Sequence, residues 1–240
     1  MMNENKHIVE KHVMQDHLES FIKCPYQVYY YQLLHEKERM WRQNIQAVIN
    51  SIVHTYYELH LEDQTKLSAL KVINECWHQV RFEFFQSGEE YYMVLAKITD
   101  HLLQFLSTKS KQPLLFLYEK LYIKGLESQA SITIEVAEWS ATSFSVKKFL
   151  LEADQQLMER YSQLVSVFSY ESLGMLPEKI EIVSLLDGRI NAFYPSEQDI
   201  PKGVQYLEDI KQLVNENNQG CFECPLTKQC KDIFKDQNVH

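Results

Sequence analysis

The feature that most constrains this chain is a cysteine pattern split between its ends. Cys221, Cys224 and Cys230 follow a Cys-x2-Cys-x5-Cys spacing near the C-terminal end, and Cys24 sits near the other end in Phe21-Ile22-Lys23-Cys24-Pro25-Tyr26. An iron–sulfur cluster takes four thiolates, so a cluster held by Cys24, Cys221, Cys224 and Cys230 would staple the two ends together. Zinc also takes four thiolates, but structural zinc sites pair two short knuckles, and here one knuckle has two outlying cysteines. The third alternative is a set of unlinked core or surface thiols, because free cysteine is among the most buried residue types. Cys76, beside Trp77 and with no cysteine at ligand spacing, reads as a small core residue.

The staple has to close around a sizeable core, since 240 residues suffice for one large domain or two small ones. Six glycines in the whole chain argue against a loop-rich or all-β fold. No stretch approaches 18 consecutive apolar residues, and Met1-Met2-Asn3-Glu4-Asn5-Lys6 lacks the apolar core of a signal peptide. The expectation is a cytoplasmic protein with no membrane partner, where thiols stay reduced and available to a cluster. A net charge of −9 excludes a surface that grips nucleic acid all over, while leaving room for a local basic groove.

Periodicity divides the chain into a helical part over about 14–110, a sheet core over about 111–216 and a cysteine tail over 217–240, all within one domain. Helices are predicted over 17–23, halted by Cys24-Pro25, and over 26–37. The set Ile45, Val48, Ile49, Ile52, Val53, Tyr56 then recurs at helix spacing over 41–61, with His54 and Glu58 pointing away from it. Further helices are expected over 67–85 and 89–108, as an inserted layer. After Pro113 the period changes to that of strands, over 114–125, 131–139 and 144–151, the last two joined by Ser140-Ala141-Thr142-Ser143. A helix over 154–173 ends at Gly174; strands over 179–186 and 189–194 flank Asp187-Gly188, a hairpin signal; a last helix spans about 201–216.

The order α-β-β-β-α-β, the phrase Phe21-x-x-Cys24-Pro25-x-x-x-Tyr29 and the Cys-x2-Cys-x5-Cys tail together resemble the PD-(D/E)XK nuclease superfamily in its iron–sulfur branch. That branch includes the AddB-type helicase–nuclease domain, RecB-like exonucleases and CRISPR-associated exonucleases. The resemblance implies an α/β fold with a restriction-endonuclease-like core, a [4Fe–4S] cluster on the four cysteines, and hydrolysis of DNA assisted by Mg²⁺ or Mn²⁺. Hard cations of that kind need anionic oxygen ligands, and a lysine nearby steadies charge at the attacking water.

The active set that such families carry is only partly present. His54 stands at the position of the helix histidine, with Asn50 where a glycine belongs, and Glu135 is the candidate for the second-strand aspartate. The third-strand Asp/Glu-x-Lys appears as Ser145-Val146-Lys147, which keeps the lysine and replaces a metal carboxylate by a hydroxyl. An alternative register places Glu138-Trp139-Ser140 on the motif and loses the lysine. Gln163 matches a helix glutamine, while Val167 replaces the tyrosine of that helix. The bland alternative for Glu135 and Lys147 is a solvated cross-strand ion pair worth under about 1 kcal/mol.

The implied function is a catalytically degenerate nuclease-fold protein that keeps its cluster and binds DNA or a helicase or nuclease partner. Two other readings stay open. One is an active exonuclease with a shifted site, using Glu119, Glu135 or Glu138 with Lys147. The other is a redox-sensing or protein-binding module with no DNA. Lys120, Lys124, Lys147, Lys148 and Arg160 are the expected basic lining of a cleft. The cysteine pattern itself yields a direct expectation: protein purified without oxygen is brown and carries about four iron and four sulfide. Cys24→Ser or Cys221→Ser removes the colour and lowers the melting temperature sharply, because metal-site binding energy is folding energy. One tightly bound zinc in a colourless protein would replace iron and keep the staple.

Overall fold

A computed structural model describes residues 41–106, 112–123 and 131–215. The expected helices over 17–23 and 26–37, Lys124 and the four cluster cysteines lie outside the described residues. Helix α1 spans Trp41–Glu58, α2 Lys66–Trp77 and α3 Gly88–Leu106. Strands β1 (Leu114–Tyr122), β2 (Ser131–Trp139) and β3 (Phe144–Leu150) follow, then α4 (Gln155–Leu173), β4 (Lys179–Ser184), β5 (Arg189–Phe193) and α5 (Asp199–Asn215).

The five strands form one sheet in the order β1-β2-β3-β4-β5. β1, β2 and β3 are joined antiparallel, β3 and β4 are parallel with α4 as the crossover, and β5 returns antiparallel. A parallel pair cannot be closed by a tight turn, and the helix over 155–173 supplies the crossover it needs. The result is a mixed α/β fold in three layers. One apolar core joins α1, α2 and α3 to the sheet through Val136, Phe149 and Val183, and a second joins α4 and α5 to its other face through Ile134, Val146 and Ile182.

Local chemistry sets most of the boundaries. Asp154 caps α4 by accepting from Leu157 N–H at 2.7 Å, and Gly174 ends it in the left-handed region at φ 70. Thr65 caps α2 in the same way. The expected helix over 67–85 is corrected: α2 stops at Trp77, and a short 3-10 turn, Phe82–Phe84, follows. The break returns the Phe82 and Phe85 rings to Tyr91 on α3, at 5.3 and 5.2 Å, which a straight helix would have carried past it. Among the described residues no helix is long and apolar enough to cross a membrane.

Helices α4 and α5 meet at Gly203, where an added Cβ would stand 2.4 Å from Val167 Cγ2 and 2.6 Å from the Gln163 carbonyl oxygen. Alanine inside a helix is favoured over glycine by about 1 kcal/mol, but backbone at that distance cannot yield. Gly203→Ala is therefore expected to lower stability by a net ~1–3 kcal/mol in urea unfolding. Gly174→Ala meets nothing within 4 Å, so its loss is only the cost of a left-handed residue, about 1 kcal/mol.

Candidate functional site at the parting of two strands

The β2–β3 ladder runs from Trp139 opposite Phe144 to Val136 opposite Lys147 and goes no further. Beyond it β2 stays with β1 and β3 stays with β4, so the two strands part and leave β3 backbone groups without a strand neighbour on that side. Buried backbone groups must be paired, and here side chains do it. Glu135, the first residue of β2 past the ladder, accepts the Phe149 N–H on Oε2 at 3.0 Å. Gln46, on α1, donates to the Phe149 carbonyl at 2.8 Å and accepts from the Leu151 N–H at 2.8 Å. A residue of a parallel strand would bond the same two groups, so the Gln46 amide stands in for a peptide unit.

Lys148 is the first residue of β3 past the ladder, and its ammonium meets Glu135 Oε1 at 2.5 Å with both side chains almost fully buried. The ammonium also lies 5.5 Å from the centre of the Tyr161 ring on α4. Asn50 completes the carboxylate's surroundings. With its nitrogen toward the sheet the Asn50 amide donates to Glu135 Oε1 and to the Gln46 carbonyl, both at 3.2 Å. The reverse orientation would set its oxygen against those two acceptors, with Gln46 Nε2 as the only donor. The first orientation satisfies two acceptors, one of them a buried anion, against one close approach of two nitrogens, 2.9 Å to Gln46 Nε2.

Tyr118 faces this site from β1 with a φ of 52. A bulky side chain at positive φ costs about 1–3 kcal/mol and persists only where the surroundings hold it. The hold is visible: its hydroxyl donates to the Asn50 carbonyl at 2.7 Å, and its ring meets the His54 ring edge-on at 5.1 Å. The same rung breaks the alternation of both strands. Leu117 and Tyr118 are consecutive yet both pack toward α1, and on β2 Ile134 packs under α4 while Val136 packs toward α1. This local half-turn aims the Glu135 carboxylate into the gap.

Of the sequence-derived set, Glu135 is central and His54 lies at the rim, 40% exposed and 3.3 Å from the Glu58 carboxylate. Lys147 is not brought to Glu135. It pairs with Glu138 at 2.9 Å, on the face where Glu138 lies directly opposite Ser145. The solvated Glu135–Lys147 pair is thus corrected to two pairs, Glu135–Lys148 and Glu138–Lys147, the first buried. Tyr57 of α1 overlooks the second pair; burial, then the charges of Glu138 and Glu181, push its phenol far above the ordinary range, so it remains protonated. Glu119 is exposed on β1 opposite Ile134.

Three of the expected basic lining, Lys147, Lys148 and Arg160, do not converge. Lys148 is inside, Lys147 is engaged by Glu138, and Arg160 lies over the Tyr206 ring at 5.0 Å on the α4–α5 side of the sheet. Gln163 and Val167 lie on the seam with α5. The residues that sequence reasoning missed are Gln46 and Tyr118, together with the role of Lys148. One signal was available for Lys148: Lys147-Lys148 in a strand covered on both faces sends one ammonium into a core, where it requires a carboxylate.

A hard cation needs open anionic oxygens, and here Glu135 is closed by an ammonium and two N–H donors while Glu138 is closed by another ammonium. The described residues do not fit a divalent metal site, and what the arrangement does is bind β2, β3 and α1 together. Lys148→Met leaves the Glu135 carboxylate buried beside the remaining donors alone and is expected to cost about 3–5 kcal/mol in urea unfolding. Adding Glu135→Gln, which keeps an oxygen for the Phe149 N–H, should recover part of that loss; strictly additive losses would show that the two residues are not coupled.

No protein-family model matches the sequence, and no curated protein matches it.

Proposed function

We propose that the chain is a catalytically silent member of the PD-(D/E)XK nuclease superfamily, in its iron–sulfur branch, acting as a binding module for DNA or for a helicase or nuclease partner. The single observation that carries the silence is that both carboxylates, Glu135 at the parting of β2 and β3 and Glu138 within their ladder, are held by lysines of β3. In effect the charge that a divalent cation would bring is already supplied by the chain. The element order α1-β1-β2-β3-α4-β4, leaving aside α2 and α3, supports this reading, in which α2 with α3 would be the insertion. The cluster on Cys24, Cys221, Cys224 and Cys230 belongs to this proposal as a structural staple, and its test is the iron and sulfide content stated above.

Protein purified without oxygen is expected to release no nucleotides from single- or double-stranded DNA with Mg²⁺ or Mn²⁺. Robust metal-dependent cleavage by the parent chain would overturn the silent reading and favour an active exonuclease. The position to reopen is Ser145, which shares a rung with Glu138 and a strand face with Lys147. Ser145→Asp sets a second carboxylate beside Glu138, so Mn²⁺ binding measured by calorimetry should appear in the variant and be absent from the parent.

A further inference from the structure

The outer face of α3 carries apolar side chains that the core does not use. Val94, Ile98 and Leu102 point inward, whereas Tyr92 is 65% exposed, Met93 50% exposed and Ala96 exposed. With 3.6 residues per turn, Glu89, Met93 and Ala96 fall along one line of the helix, flanked by Tyr92 on one side and Lys97 on the other. Phe82, 50% exposed, continues the stripe beyond the helix start, since its ring lies 3.3 Å from where a Cβ of Gly88 would be. Glu89 and Lys97, both exposed, have no ion-pair partner among the described residues.

We propose that this face joins two copies of the chain, α3 against α3, antiparallel about a twofold axis at Met93. Charge dictates the register. Glu89 and Lys97 are equally spaced on either side of Met93, so each Glu89 meets the Lys97 of the other copy while Tyr92, Met93 and Ala96 fill the space between. An isologous contact needs this kind of self-complementary pattern, and the helix supplies it without help from another protein. Nucleic acid is a poor occupant, because Glu83, Glu89, Glu90 and Asp100 border the stripe and repel phosphate. One helix pair covers less than the ~800 Å² per partner of a standard interface, so the dimer is a weak one that forms with rising concentration.

The test is sedimentation velocity on the full chain, in reducing anaerobic buffer, over about 1–100 μM. The parent is expected to move from monomer toward dimer across that range. Met93→Glu and Glu89→Lys should each hold it as a monomer with an unchanged thermal melt, and Glu89→Lys combined with Lys97→Glu should restore association. A parent that stays monomeric throughout overturns the proposal and leaves the stripe to a different protein. A dimer indifferent to Met93→Glu overturns it as well, as does a charge swap that fails to recover association after Glu89→Lys has abolished it.

Discussion

The ion pair between Glu135 and Lys148 is the interaction on which the sheet depends. It stands where the β2–β3 ladder has ended, and it closes the gap with one carboxylate that serves three partners from two elements: Lys148 and the Phe149 N–H on β3 and Asn50 on α1. Burying two charges is costly, and the attraction between them offsets that only when the remaining hydrogen-bonding capacity is filled. Here the Phe149 N–H and Asn50 fill the carboxylate, and Gln46 pairs the next stretch of β3. The pair is thus less a source of stability than a demand for one geometry: any rearrangement of α1, β1 or β2 would strand a charge in an apolar interior.

The same geometry bears on catalysis. Hydrolysis through a hard cation requires carboxylates that are preorganised yet vacant. On the reading proposed above, Glu135 and Glu138 would be those carboxylates, and both are occupied by lysines. Both lysines come from β3, one on each face, so the strand that would carry the catalytic motif instead neutralises its neighbour on both sides. Ser145 adds to this by placing a hydroxyl opposite Glu138, where a second carboxylate would have made the lysine insufficient.

Much of the fold was legible from the sequence. The strand 131–139 and the end of α4 at Gly174 were read to the residue, because alternation and capping are local properties. The break after Trp77 was not legible: nothing in 67–85 interrupts helical spacing, and only the distant Tyr91 makes a turn worthwhile. At the site, Glu135 was legible as a lone acid in Ile132-Thr133-Ile134-Glu135. Its partner was not, because alternation assigned Lys147 and Glu135 to a shared environment. The register that sets Val136 opposite Lys147, and so Glu135 beside Lys148, is fixed by the ladder and not by alternation, and a tyrosine carries no sign in the sequence that it will adopt a positive φ. Gln46 was hidden for a related reason, since glutamine in a helix reads as surface until a strand edge is known to lie beneath it.

Gln46 also has a consequence for how the protein fails. By imitating a peptide unit it conceals the edge at the end of β3, from Phe149 to Leu151 just past the strand, in the middle of an otherwise continuous sheet. An edge left open is a template for pairing with another chain. If α1 lifts away, that template is uncovered between two intact halves of the sheet, in Phe149-Leu150-Leu151, an apolar run with strong strand character. Aggregation in this protein would then begin from a form that has kept most of its strands, at temperatures below those that melt the sheet itself.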